Sequence, residues 1–161
     1  MTTINASRRA FLRRGHSRAD AGHRMPWAAS AYIELCTRCD DCVRACGTGI
    51  VVRGDGGFPT VDFARGGCTL CGDCVDACTT GALQRREGAP WRLRARIGET
   101  CLSLNGITCR TCGDTCDERA IRFVPQPGGR ARPVVDALEC TGCGMCVAPC
   151  PVAAIQIEEG R

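Results

Sequence analysis

The chain has 161 residues, a formal net charge of +4 and only seven aromatic side chains. So few large side chains cannot fill an ordinary hydrophobic core, which indicates that something other than apolar packing holds much of the fold together. No stretch approaches the roughly 20 consecutive apolar residues that cross a bilayer. Because a phosphate-binding loop and a nucleophile motif are also missing, we expect neither a membrane-spanning protein nor an enzyme.

Residues 1–30 are predicted to form a basic arm, because they carry six arginines against one aspartate while the rest of the chain is nearly neutral. Residues 7–13 resemble a twin-arginine export motif. A signal peptide would continue with an apolar stretch, whereas Leu12 is followed by two arginines. We therefore expect a short basic helix, a disordered segment or an element that docks a partner, with His16 and His23 both solvated. No aromatic residues are interleaved with the charge, so a nucleic-acid partner is not expected.

Sixteen cysteines dominate the remainder of the chain, in four runs of four. Runs one, two and four share the spacing C-x2-C-x2-C-x3-C, and run three has a stretched form, C-x7-C-x2-C-x3-C. The shorter spacing is typical of proteins that bind 4Fe–4S clusters. The predicted ligands, run by run, are Cys36, Cys39, Cys42 and Cys46; Cys68, Cys71, Cys74 and Cys78; Cys101, Cys109, Cys112 and Cys116; and Cys140, Cys143, Cys146 and Cys150.

Two other uses of the cysteines compete with this interpretation. A disulfide scaffold would suit the high and even count, but disulfides give no reason for one spacing to recur. Structural zinc also uses C-x2-C pairs, but the third and fourth cysteines of each run are surplus to that pattern. We therefore predict four 4Fe–4S clusters that are needed for folding. Reduced thiolate ligands favour a cytoplasmic location.

The fourth cysteine of each run is expected to bind the cluster of another run. Pairing of adjacent runs is favoured, because neighbours in sequence are usually neighbours in space. A nested pairing, of run one with run four and of run two with run three, stays open. Adjacent pairing would give the ligand groups Cys36, Cys39, Cys42 and Cys78; Cys68, Cys71, Cys74 and Cys46; Cys101, Cys109, Cys112 and Cys150; and Cys140, Cys143, Cys146 and Cys116.

Short strands are predicted between and after the runs. Residues 49–53 and 58–63 form a hairpin around a glycine turn at 54–57. Residues 91–97 alternate apolar and charged side chains, which predicts a strand whose odd-numbered residues face inward. Further strands are predicted at 120–124, 133–136 and 152–157.

A cysteine loop, a brief helix and a hairpin arm form the predicted unit of roughly 35 residues, used four times. The predicted fold class is α+β, with two fused bacterial-ferredoxin-like modules that hold two clusters each. Module one is expected at 31–86 and module two at 91–158, preceded by the basic arm at 1–30.

Several segments of the chain occur together in one known family. They are the arginine-rich residues 7–13, Met25-Pro26-Trp27 ahead of run one, residues 36–39, residues 54–59 and, above all, the stretched third run within 101–114. On these segments, which extend over essentially the whole chain, the sequence resembles the NapF family of ferredoxin-type accessory proteins of periplasmic nitrate reductase systems.

The resemblance implies a soluble cytoplasmic protein with four 4Fe–4S clusters. It would act on the molybdenum-containing catalytic subunit of the periplasmic nitrate reductase before export, and the implied task is maturation by electron or cluster transfer. The alternative is an electron-transfer subunit that serves a molybdoenzyme during turnover, and a free polyferredoxin is a third possibility. The chain departs from the usual pattern in having Asp40 where glycine is common, and proline after the last cysteine only in run four, at Pro151.

Overall fold

A computed structural model describes residues 22–160, whose helices and strands are short. Four-residue and five-residue helices are too short to be stable alone, so their shape depends on the loops around them. None of the helices in this range is long and apolar enough to cross a membrane. The helices are α1 (Tyr32–Leu35), α2 (Asp41–Ala45), α3 (Asp73–Asp76) and α4 (Thr111–Asp114), and a 3-10 turn covers Asp55–Gly57. The strands are β1 (Val51–Arg53), β2 (Pro59–Val61), β3 (Leu93–Ile97), β4 (Ile121–Gln126), β5 (Arg130–Val135) and β6 (Ile155–Glu159).

Two of the sheets are antiparallel hairpins, each inserted between two cysteine runs. β1 and β2 form the hairpin predicted within residues 49–63, with Val51 opposite Val61. β4 and β5 form the second, with Ile121 opposite Val135. We call the part of the chain with runs one and two the first half, and the part with runs three and four the second half. In both halves, the chain leaves one run, turns back through a hairpin and enters the next run.

The third sheet joins the two ends of the second half. β3 pairs with β6 in antiparallel register, with Leu93 opposite Glu159 and Ile97 opposite Ile155. In the first half the isolated bridge between Ala28 and Leu83 has the same position. The repeat is consequently a pair of runs with a hairpin between them, present twice, and the prediction of a 35-residue unit used four times is wrong. The physical reason is that β3 has no hairpin partner of its own and takes β6, which lies far along the chain.

The described part of the predicted arm, residues 22–30, packs against the first half. Met25 is only 2% exposed, and the backbones of His23 and Val61 exchange two hydrogen bonds of 2.8 Å. The His23 ring lies 5.0 Å from the ring of Phe63. His23 is half-buried, so the expectation that this side chain is solvated is wrong, and burial also lowers its pKa. Residues 1–21, with His16 and the export-like motif, lie outside the described residues.

One cluster of buried side chains runs through both halves. Ile50 and Val61 are among its most deeply buried members. The alternation predicted for β3 is present, since Leu93 and Ala95 are buried and Arg96 is exposed. Cysteines of all four runs belong to this cluster or pack against it. The cysteine loops therefore supply much of the interior that large aromatic side chains would otherwise fill.

Truncation of Met25 tests whether the segment ahead of residue 31 belongs to the folded unit. We expect Met25→Ala to lower the free energy of unfolding by about 2–5 kcal/mol, because a fully buried side chain leaves a cavity. The control is Leu138→Ala, since Leu138 is 93% exposed and its truncation should change stability by less than about 0.5 kcal/mol. Denaturant unfolding of the anaerobic protein measures both, and equal effects would contradict the placement of Met25 in the core.

Candidate metal centres

The sixteen cysteines line four cavities, with four cysteines at each. Three come from the first three positions of one run, and the fourth comes from the last position of the adjacent run. The unfilled space, open mouths included, is about 320 Å³ in the first cavity, 580 Å³ in the second, 350 Å³ in the third and 340 Å³ in the fourth. The first set is Cys36, Cys39, Cys42 and Cys78; the second set is Cys46, Cys68, Cys71 and Cys74; the third set is Cys101, Cys109, Cys112 and Cys150; and the fourth set is Cys116, Cys140, Cys143 and Cys146.

This grouping agrees with the pairing of adjacent runs. In a nested pairing Cys150 would lie with the first three cysteines of run one, whereas the structure places it with those of run three. Cys78 likewise lies with the first three cysteines of run one. That the sixteen cysteines bind clusters stays a prediction, but the structure gathers them in the combinations that four clusters would need.

The donor sets fit a 4Fe–4S cluster better than the competing uses of cysteine. All sixteen thiols are free, so the disulfide scaffold is not what the fold uses. The cysteines of a set border a cavity, and within residues 22–160 no three metal-binding side chains are grouped as a single ion would require. Four thiolates around a cavity are the ligands of a cubane cluster.

A left-handed turn shapes the loops of the first two runs. Asp40 has φ +64° directly before α2, and Gly72 has φ +90° directly before α3. In each loop the third cysteine is then the second residue of a short helix, while the first two precede the turn. Backbone also reaches the sulfur atoms, since the Leu70 N–H donates to Cys68 Sγ over 3.4 Å.

The last cysteines of runs one and two receive hydrogen bonds at their sulfur atoms. Burial raises the pKa of the Cys46 thiol, but hydrogen bonds from the Thr48 hydroxyl and from nearby backbone N–H groups outweigh burial, so its pKa is lowered. The same balance lowers the pKa of Cys78, where Thr80 supplies the hydroxyl. Such hydrogen bonds stabilise the thiolate that a metal requires.

The threonine partners were not predicted from the sequence, although a signal for them exists. Cys46 and Thr48 are 3.5 Å apart from Sγ to Oγ1, Cys78 and Thr80 are 3.6 Å apart, and Cys109 and Thr111 are 3.7 Å apart. The pattern Cys-x-Thr therefore marks a sulfur with a hydroxyl beside it.

The third cysteine of each run is in the opposite situation. Burial and the charges of neighbouring cysteines raise the pKa of Cys42 and Cys112 to about 11, and that of Cys74 and Cys146 to about 12. Without a positive charge in the cavity these thiols stay protonated at neutral pH. Metal binding must displace these protons, so cluster insertion and folding are coupled to proton release.

The stretched third run is an ordered loop. The Ser103 hydroxyl donates to the Ala131 carbonyl over 2.5 Å, which anchors the loop to β5. The Asn105 side-chain amide donates to the carbonyls of Glu99 and Cys101, over 2.8 and 2.9 Å. These bonds bend the extra residues back on themselves, so that Cys101 reaches the cavity of Cys109 despite the longer spacing.

Asp40 gives the first cavity a carboxylate. The side chain is buried and lines the cavity beside Cys39. Its Oδ2 atom pairs with Arg53, while its buried Oδ1 atom has no hydrogen-bond partner among residues 22–160. A carboxylate next to a cluster disfavours the more negative reduced state, and Arg53 offsets only part of that effect. A cluster in the first set is therefore expected to have a modestly lower reduction potential than glycine at this position would allow.

Replacement of Cys150 tests the grouping directly. We expect Cys150→Ser to lower the iron content by about a quarter, because one of four clusters loses a ligand. The electron paramagnetic resonance (EPR) signal that disappears should be the one that Cys109→Ser also removes, since both residues belong to the third set. Loss of the signal that Cys36→Ser removes would instead support the nested pairing.

Neutralisation of Asp40 tests its effect on the first set. We expect Asp40→Asn to raise one cluster potential by about 40 mV, which corresponds to roughly 1 kcal/mol for one electron. The control is Asp73→Asn in run two, where the carboxylate is exposed and water screens its charge. A redox titration followed by EPR measures both, and an equal shift in the two variants would contradict the role of burial.

Comparison with known proteins agrees with this arrangement. The family described as "4Fe-4S dicluster domain" matches residues 35–82 and 107–154. The chain is 46% identical over 171 residues to the ferredoxin-type protein NapF of Haemophilus influenzae, covering 99% of this chain and 97% of that protein. It is 40% identical over 157 residues to the ferredoxin-type protein NapF of Escherichia coli, covering 96% of each. A shorter match, 42% identical over 66 residues, covers 37% of this chain and 30% of the methylamine utilization ferredoxin-type protein MauM of Paracoccus denitrificans. The chain therefore belongs to the NapF family of ferredoxin-type iron–sulfur proteins.

Proposed function

We propose that the chain is a cytoplasmic iron–sulfur accessory protein that assists maturation of the catalytic subunit of a periplasmic nitrate reductase before export. The observation that carries the proposal is the set of four cavities, each with four cysteines from two adjacent runs. The full-length similarity to NapF proteins supports the choice of partner. The proposed modules are residues 31–86 and 91–158, with residues 22–30 packed against the first, and the basic residues 1–21 are proposed to assist docking.

Each cysteine set is proposed to hold one 4Fe–4S cluster, four in all. When bound, such a cluster accepts and releases one electron at a time without making or breaking bonds in a substrate. The protein's own residues bind and tune the cofactor. Cys78, the last cysteine of run two, offers a sulfur hydrogen-bonded to Thr80, while Cys74, the third cysteine of that run, is buried.

The proposal is tested by nitrate reductase activity in a strain that lacks this protein. The catalytic subunit is assayed with an artificial dye that reduces it directly, so that no natural electron donor is needed. We expect dye-driven activity to be lost, and to return when the unmodified chain is supplied. The variant Cys109→Ser, altered in the third set, should restore it severalfold less well than Leu138→Ala, a control whose side chain is 93% exposed.

The dye separates the two candidate roles. Activity that stays lost with the dye means that the catalytic subunit was never completed, which supports maturation. Full activity with the dye means that the subunit is intact and lacks only its electron supply, which would overturn the maturation role in favour of electron delivery during turnover. Iron content of the purified catalytic subunit from the same strains gives a second measure, because an incomplete subunit should contain less iron.

A further inference from the structure

The two halves of the protein meet through cysteines of different cavities. The backbone N–H of Cys68, in the second set, donates to the carbonyl of Cys143, in the fourth set, over 2.7 Å. Neighbouring residues take part in the same contact. Gly67, directly before Cys68, lies against Met145, two residues after Cys143. A main-chain hydrogen bond thus connects the loops of two cavities that belong to different halves.

Two glycines allow this close approach. A Cβ atom on Gly67 would lie 2.7 Å from the backbone nitrogen of Met145, and one on Gly144 would lie 2.1 Å from the Phe63 ring. Real Cβ atoms do not come so close to other atoms, so any other residue would force the two loops apart. Both glycines are buried, which places the contact inside the molecule.

Aromatic side chains hold the same contact in place. The Trp91 indole N–H donates to the Thr141 carbonyl over 2.9 Å, and its ring meets the Phe63 ring edge-on at 5.8 Å. Phe63 belongs to the first half, whereas Trp91 and Thr141 lie in the second. The relative position of the second and fourth sets is therefore fixed by packing as well as by a hydrogen bond.

Within each half, one short helix serves both sets. Helix α2 carries Cys42 of the first set, and Cys46 of the second set directly follows its end. In the second half α4 carries Cys112 of the third set, and Cys116 of the fourth set lies two residues beyond its end. The helices α2 and α3, which carry Cys42 and Cys74, are also in contact. The first set therefore adjoins the second, and the third adjoins the fourth.

We propose that the Cys68–Cys143 contact is the point at which one electron crosses between the halves, so that the sets are used in the order first, second, fourth, third. The proposal rests on the proposed occupation of each set by a cluster. With both sets loaded, one crossing would oxidise the second set's cluster by one electron and reduce the fourth set's by one, or the reverse, and the Cys68–Cys143 backbone contact would hold the two loops together for it. No bond forms or breaks, and an external one-electron donor and acceptor are needed only at the two ends, at the first and third sets.

The order is tested by EPR of the purified protein after reduction with dithionite. Adjacent paramagnetic clusters broaden and split each other's signals, whereas a distant cluster gives a simple, isolated signal. Cys71→Ser should prevent cluster binding at the second set. The cluster of the first set should then give an isolated signal, while those of the third and fourth sets stay coupled. Cys109→Ser should prevent cluster binding at the third set and leave the clusters of the first, second and fourth sets coupled. A first set that stays coupled after loss of the second would overturn the order.

The crossing itself is tested by Gly67→Ala. The added methyl group must push the Met145 backbone away, so the coupling between the second and fourth sets should weaken while the coupling between the first and second sets is kept. Leu138→Ala is the control, because Leu138 lies two residues before Cys140 of the fourth set but its side chain is 93% exposed. Unchanged coupling in a fully loaded Gly67→Ala protein would overturn the crossing.

The readouts separate this inference from the proposed function. Magnetic coupling is measured on the purified protein and does not depend on nitrate reductase, so loss of the maturation role would leave the expected couplings unchanged. A protein that contains no iron would overturn both proposals. If Gly67→Ala loses iron, the Cys71→Ser and Cys109→Ser spectra decide, because they test the order without altering the interface between the halves.

Discussion

The structure depends on one constraint, that the last cysteine of each run must reach the cavity of its neighbouring run. Cys78 returns to the cavity of run one and Cys46 reaches forward to that of run two. This exchange ties two separate segments of chain into one unit, and the same happens in the second half. The hairpins between the runs, β1–β2 and β4–β5, make the exchange possible, because they turn the chain back before the next run begins.

The exchange also explains how a chain with few aromatic residues can have an interior. Buried cysteines such as Cys74 and Cys146 belong to the same core cluster as Val61 and Ile157. Their thiols are held where burial raises the pKa, so they stay protonated in the metal-free chain and a metal must displace the protons. Binding of the proposed clusters and folding are therefore expected to be coupled.

The four sites are built alike but are not equivalent. The first cavity contains the buried carboxylate of Asp40, and the third takes Cys101 from the ordered loop around Ser103. These two sets lie at the ends of the order inferred from the packing, whereas the second and fourth meet in the interior through Cys68 and Cys143. Chemical differences are therefore concentrated where the protein would exchange electrons with other molecules.

Spacing alone identified the three cysteines that each loop contributes and the hairpin within residues 49–63, because these features depend on a few consecutive residues. It favoured the pairing of adjacent runs but kept a nested pairing open, since spacing within a run does not say which run supplies the fourth cysteine. It also misplaced His23 in a solvated arm and missed the pairing of β3 with β6. Those features are decided by contacts between distant segments, such as His23 with Phe63 and Ile97 with Ile155. Local sequence determined the loops that can hold metal, and only the tertiary structure decided which loops share a cavity, because that depends on how the chain closes as a whole.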